Sequence, residues 1–235
     1  MKVYGHRGAS AYAPENTLAA FELAFKMGAH AVENDVYLSS DGEIVVIHNR
    51  TTEDVYGDNL VVQDSTVEQL KKLRPVDRYN GEYLDQTVPT LEEVYMLMKK
   101  YPTVTINVEL KSVGEEFLKK VLEVTEKCKM THRVIFSAFD VVNLEWLCKN
   151  ASYVPTAYLT DNKNIAPAID NKCVAVHPYT SAVDKEYVET AHKHNLEVNV
   201  WTVNDAKEIK RVMDCGIDGI ITDCPDIALE VIENQ

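Results

Sequence analysis

Residues 31–49 read AVENDVYLSSDGEIVVIHN, and the fold turns on how this stretch pairs. Residues 31–36 and 44–47 are both rich in β-branched residues and read as strands. Little more than residues 39–43 separates them, and Asp41-Gly42 lies at the centre. A parallel crossover needs about a dozen residues or more, so the two runs form an antiparallel hairpin turning at Asp-Gly. Seven other strand-like runs lie outside this stretch, at 3–5, 104–110, 134–137, 155–159, 173–177, 198–202 and 219–222. Setting the return strand 44–47 aside leaves eight strands.

Amphipathic segments lie between most of these strands. The first carries Leu18, Phe21, Leu23 and Phe25, with Asn16 or Thr17 as its cap and Gly28 at its stop. A second carries Phe117, Leu118, Val121, Leu122 and Val124, and a late one carries Ile209, Val212 and Met213 before Gly216. Eight strands alternating with helices predict an α/β fold, a TIM (β/α)8 barrel. A barrel of about 250 residues accounts for all 235 positions as one domain, 1–235. Residues 50–88 break the alternation: they are polar and punctuated by Asp58-Asn59, Arg74-Pro75 and Asn80-Gly81. They read as a small insertion after the hairpin, with one short helix starting at Ser65-Thr66 and ending near Leu73.

Composition narrows the function. There are 24 Lys+Arg against 37 Asp+Glu, a net charge of −13, which argues against nucleic-acid and anionic-membrane partners. No run approaches the ~20 apolar residues of a membrane span. No secretory leader is visible, and the five cysteines form no CxxC. These features predict a cytoplasmic protein with reduced thiols and no zinc site.

Polar residues cluster at the ends of the early strands: His6-Arg7-Gly8, Glu33-Asn34-Asp35, His48-Asn49 and Glu109-Leu110-Lys111. Barrel active sites lie at the strand C-termini, so these segments are expected to converge. Glu33 and Asp35 are two apart on a strand and face the same way, as do Glu109 and Lys111. Three convergent carboxylates suggest one hard divalent ion, Mg²⁺ or Ca²⁺. With that ion, Arg7 and Lys111, the site carries one net positive charge, matching a phosphodiester monoanion. His6 and His48 suit a general acid and a general base, in either order. His30, His132, His192 and His194 read as ordinary histidines. His177 and Tyr179 fall at a strand end, where a structural role fits better than a pocket role. Cys224 reads as a packed thiol.

The ordered set His6-Arg7-Gly8-Ala9, Pro14-Glu15-Asn16-Thr17, Glu33-x-Asp35-Val36, Asp41-Gly42, His48 and Glu109-x-Lys111 resembles the glycerophosphodiester phosphodiesterase family. So do Pro89-Thr90-Leu91-Glu92-Glu93, Trp201-Thr202-Val203-Asn204 and Gly219-x-x-Thr222-Asp223-x-Pro225. The resemblance runs in order along nearly the whole chain. It implies a TIM barrel with an insertion after the hairpin, and metal-dependent hydrolysis of a small-molecule glycerophosphodiester to sn-glycerol 3-phosphate and an alcohol. It implies Glu33, Asp35 and Glu109 as metal ligands and His6 and His48 as the acid–base pair. Arg7 and Lys111 would contact phosphate, and Trp201 would line the pocket. Two places depart from the pattern. Asn49 stands where the family has Asp, and Arg74-Pro75-Val76-Asp77 replaces a small-residue turn. A barrel lyase with enolate chemistry would not account for this order of motifs. A binding protein with a dead site would be expected to have lost at least one of these residues.

Overall fold

The computed structural model describes residues 1–234. Its organising feature is the hairpin: β2 (Ala31–Leu38) and β3 (Ile44–Val46) run antiparallel, with Val36 opposite Val46 and Leu38 opposite Ile44. Gly42 supplies the turn's φ of +81°, open to glycine at no steric cost. The other strands are β1 (Lys2–His6), β4 (Thr105–Leu110), β5 (Val134–Ala138), β6 (Thr156–Thr160), β7 (Ala175–Pro178), β8 (Glu197–Val200) and β9 (Gly219–Thr222). Each pairs in parallel with its neighbours, and β1 pairs with both β2 and β9. The ring is therefore closed by eight parallel strands, with β3 attached outside it. Followed once around through successive partners, the register returns eight residues from its start, the shear of a (β/α)8 barrel.

Strand alternation divides the core into two layers. Val32, Val36, Ile106, Val108 and Phe136 point outward into a continuous apolar layer with Phe21, Leu118 and Leu144 from the surrounding helices. Each such fully buried side chain contributes roughly 1.5–3 kcal/mol. Tyr4, Ala31 and Ile221, with Trp201 above them, fill the ring itself. The helices are α1 (Leu18–Lys26), α2 (Glu53–Tyr56), α3 (Val67–Leu70), α4 (Leu91–Met98), α5 (Glu115–Lys127), α6 (Val141–Asn150), α7 (Ala166–Asp170), α8 (Lys185–Lys193), α9 (Ala206–Met213) and α10 (Pro225–Glu233). Thr17, rather than Asn16, caps α1, because its Oγ1 accepts from the Ala20 N–H at 3.2 Å. That leaves Asn16 for another task. Among the described residues, no helix is long and apolar enough to cross a membrane.

Some boundaries differ from expectation. β1 extends through His6, and Trp201 lies just beyond β8, held by a single bridge to Tyr179. β7 begins at Ala175, because the Cys173 N–H is used in closing the turn after α7, bonding to Ala168 O at 2.9 Å. α3 stops at Leu70 rather than near Leu73: the Leu73 N–H bonds only three residues back, at 3.2 Å, and Pro75 cannot continue a helix. Residues 50–88 carry α2, α3 and a cluster of Tyr56, Val62, Leu70, Leu73 and Val88, which packs on Val45 and Ile47 of the hairpin arm.

Candidate active site

The register brings the polar residues of separate strands level with one another. His6 is level with Glu33, Glu33 with Asn107, and Asp35 with Glu109. All point into the ring, because they alternate with the outward valines and isoleucines.

The chain turns sharply after β1. Arg7 has φ +55° and Gly8 φ +90°. A Cβ at Gly8 would lie 2.5 Å from the Ala20 carbonyl carbon, so only glycine lets the turn pass this close to α1. The turn aims the Arg7 N–H at Glu33 Oε2, 3.0 Å away. The Arg7 guanidinium donates from Nη1 to both Glu15 oxygens, at 3.1 and 3.0 Å, and its Nε lies 3.4 Å from Asp35 Oδ2. These partners hold Arg7 in a backbone conformation that costs a non-glycine residue about 1–3 kcal/mol. The next segment braces the same group: Asn16 Nδ2 donates to Asp35 Oδ2 at 2.9 Å, while the Asn16 N–H bonds to Arg7 O.

Glu33, Asp35 and Glu109 present oxygens that all lie within 4.8 Å of one another. Lys111 Nζ sits 2.8 Å from Glu109 Oε1 and 3.6 Å from Asp35 Oδ1. Burial, then the charges of Asp35 and Glu109, push Glu33 well above the usual carboxylate range, against the pull of Arg7. Burial and Asp35 push Glu109 up to about 7. Burial also opposes the charge on Asp35, but Arg7, His48, Lys111 and Asn16 hold it below the usual range. Glu33 Oε1 and Asp35 Oδ1 are buried with no hydrogen-bond partner. Unpartnered carboxylate oxygens converging on one point are hard donors suited to a divalent cation. The residues present therefore fit such an ion.

Two histidines line the same cavity as this cluster. His6 Nδ1 lies 2.6 Å from Asp223 Oδ1; the carboxylate can only accept, so Nδ1 donates and Nε2 is left free. Asp223 also accepts from Ser10 Oγ at 2.9 Å and from Asn204 Nδ2 at 2.5 Å. Burial raises the Asp223 pKa, but these donors and the nearby imidazole bring it down to about 2. His48 Nδ1 pairs with Asn49 Oδ1 at 2.7 Å. Burial depresses the His48 pKa; Asp35 opposes this, and Arg7 and Lys111 reinforce it.

His6, Arg7, Glu33, His48, Glu109 and Lys111 line one cavity at the barrel mouth, and Asn107 contributes to its floor. Trp201, Phe139, Leu159 and Ile221 form its apolar side. Trp201 is anchored by its Nε1 to His177 O at 2.8 Å and packs edge-to-face with Phe139, ring centroids 5.6 Å apart. Every residue singled out from the sequence for this site is thus brought to it, Asp35 as a fully buried side chain level with Glu109. His177 is fully buried under Trp201, its Nε2 beside Asn199 Nδ2 at 3.1 Å, and burial pushes its pKa down to about 3. Tyr179 packs on Trp201 from outside, ring centroids 5.2 Å apart. Cys224 is a half-buried free thiol whose pKa burial raises.

Sequence reasoning missed the supports. Glu15, Asn16 and Asp223 each bond a residue of the site, and Ser10 and Asn204 hold Asp223 in turn. They also correct the charge reckoning. Glu15 and Asp223 make five carboxylates against a divalent ion, Arg7 and Lys111, which leaves one net negative charge when both histidines are neutral. The signal for Glu15, Asn16, Asn204 and Asp223 was their presence in the Pro14-Glu15-Asn16-Thr17, Trp201-Thr202-Val203-Asn204 and Thr222-Asp223 motifs, which carries no geometry, and Ser10 had none.

The model of the glycerophosphoryl diester phosphodiesterase family matches residues 6–227. The chain belongs to this family. A glycerophosphodiester phosphodiesterase of Bacillus altitudinis is 34% identical, the match covering 100% of this chain and 99% of that protein. One from Caldanaerobacter subterraneus subsp. tengcongensis is 31% identical over 98% of this chain and 97% of its own. Among solved structures, an Oleispira antarctica phosphodiesterase in complex with the product sn-glycerol-3-phosphate superposes with a TM-score of 0.92. It is 26% identical, covering 99% of this chain and 97% of that one. The likeness thus runs along nearly the whole chain, in sequence and in fold.

Proposed function

We propose that the protein hydrolyses glycerophosphodiesters to sn-glycerol 3-phosphate and an alcohol, using one divalent cation, Mg²⁺ or Ca²⁺, and the His6–His48 pair. As a member of its family the protein is a phosphoric diester hydrolase. The observation that carries the finer reading is the convergence of the Glu33, Asp35 and Glu109 oxygens within 4.8 Å, in a cavity that also presents His6, His48, Arg7 and Lys111. Glu33, Asp35 and Glu109 would hold the cation, which when bound supplies Lewis-acid polarisation of a phosphoryl oxygen. Arg7 and Lys111 stabilise negative charge on the phosphoryl oxygens, Lys111 as a point charge and Arg7 as a fork held by Glu15 and Asp35. His48, whose pKa burial and the two cations hold down, is neutral near pH 7 and takes the proton of the attacking oxygen. His6 donates from Nε2 to the departing alkoxide, and the Asp223 carboxylate on Nδ1 holds the ring in place for that transfer. Trp201 and Phe139 form an apolar wall against the carbon skeleton of the substrate.

The test is a panel of glycerophosphodiesters with different head groups, scored by glycerol 3-phosphate release with EDTA and after adding back Mg²⁺, Ca²⁺ or Mn²⁺. The expected result is release that chelation abolishes and a divalent cation restores. Metal-independent release, or none from any member of the panel, overturns the reading. His6→Ala and His48→Ala are expected to remove turnover with the fold and the metal affinity intact.

A further inference from the structure

The far side of His48 opens onto the insertion. Among the described residues, Asn49 provides the only side-chain hydrogen bond to the His48 ring, at 2.7 Å. An amide can meet an imidazole nitrogen with either its oxygen or its nitrogen, and the two choices put the ring proton on different atoms. At His48 the choice is made from outside. Asn49 Nδ2 donates to Asp54 Oδ2. An ionised carboxylate only accepts, so the amide nitrogen must face Asp54 and the amide oxygen must face His48. His48 then carries its proton on Nδ1, and Nε2 offers its lone pair on the side away from Asn49. Asp54 is held in turn, because Arg78 Nη2 donates to its backbone oxygen at 2.8 Å and the Val76 N–H bonds to Val55 O at 2.8 Å.

We propose that Asn49 and Asp54 form a positioning relay that fixes the tautomer and orientation of His48, with Arg78 of residues 50–88 latching its outer end. The relay supplies at one remove the charge that a carboxylate at position 49 would supply directly. The charged groups that act on His48 from other elements, Asp35, Arg7 and Lys111, bias its protonation by charge alone. Fixing the tautomer is left to Asn49. The proposal rests on the proposed role of His48 in proton transfer.

The decisive variants are Asp54→Ala and the charge-swapped pair Asn49→Asp with Asp54→Asn. Asp54→Ala frees the Asn49 amide to turn over, so kcat is expected to fall about tenfold, the worth of one hydrogen bond, with KM little changed. In the swapped pair the carboxylate at 49 accepts from Nδ1 directly and is supported by the amide at 54, so kcat is expected to recover most of that loss. A second readout is the ¹⁵N spectrum of the histidine rings in metal-free protein at pH 8, with His48 identified by its disappearance in His48→Ala. The wild type should show a protonated Nδ1, Asp54→Ala a mixture of tautomers, and the swapped pair the wild-type form again. Circular dichroism establishes that each variant is folded. If Asp54→Ala leaves both kcat and the ring spectrum unchanged, or if the swap recovers neither, the relay is refuted. Failure of the function itself reads differently: His48→Ala would keep its turnover, whatever the tautomer result.

Discussion

Replacing Asp223 with Asn removes the charge behind His6 while keeping nearly the same shape. The structure sets the size of the effect. Asp223 falls from an ordinary pKa of 3.8 to about 2, through the hydrogen bonds of His6, Asn204 and Ser10 and the charge of His6, all working against burial. A shift of that size corresponds to about 2 kcal/mol favouring the folded state. The side chain keeps 28% exposure, and screening by solvent reduces the figure to about 1–2 kcal/mol. A group whose folded pKa is depressed contributes this stability above its unfolded pKa, near 4, and loses it as pH falls through its folded value, near 2. Asp223→Asn should therefore melt about 2–8 °C below wild type at pH 6, and about half of that gap should be gone at pH 3. In the same variant His6 loses its charged partner, so kcat for glycerol 3-phosphate release should fall about tenfold. Thermal melts at the two pH values, with initial rates at the higher, measure both. Equal melting temperatures at pH 6, or a gap that does not narrow at pH 3, would refute this role for the Asp223 carboxylate.

Gly8→Ala should cost about 3–5 kcal/mol in urea denaturation, since its Cβ would overlap α1 and its φ is +90°; a loss below about 1 kcal/mol would mean the turn is not so tightly fitted. Asn16→Ala strips the 2.9 Å bond from Asp35 and should weaken divalent-metal affinity, read by calorimetry, about 10- to 100-fold. Unaltered affinity would count against Asp35 as a ligand. Thr90→Ala breaks the reciprocal capping box with Glu93 at the start of α4. It should cost about 1 kcal/mol and leave turnover unchanged, so a large activity loss would indicate that α4 does more than cover the barrel.

Much of the site was legible because its key residues come in local pairs whose spacing is itself geometric. Glu33 and Asp35 share a strand face wherever that strand is packed, and so do Glu109 and Lys111. The hairpin was legible for the same reason, because a loop too short for a crossover permits only one pairing. The supports were not legible. Glu15 lies eight positions from Arg7, a separation that fixes neither distance nor direction until the left-handed turn at Arg7 and Gly8 is formed. Asn16 and Thr17 were indistinguishable as caps of α1. Packing distinguishes them, since Thr17 bonds the helix while Asn16 turns inward to Asp35.

By itself, then, the sequence determined the strand and helix alternation, the hairpin, and the residue types gathered at the strand ends. These follow from periodicity and chain length, which act over a few residues at a time. Only the tertiary structure decided which charge answers which. His6 and Asp223 stand 217 positions apart and meet because the ring closes β9 against β1. The register that levels Asp35 with Glu109 is likewise set by how the whole barrel packs, and no local stretch carries it.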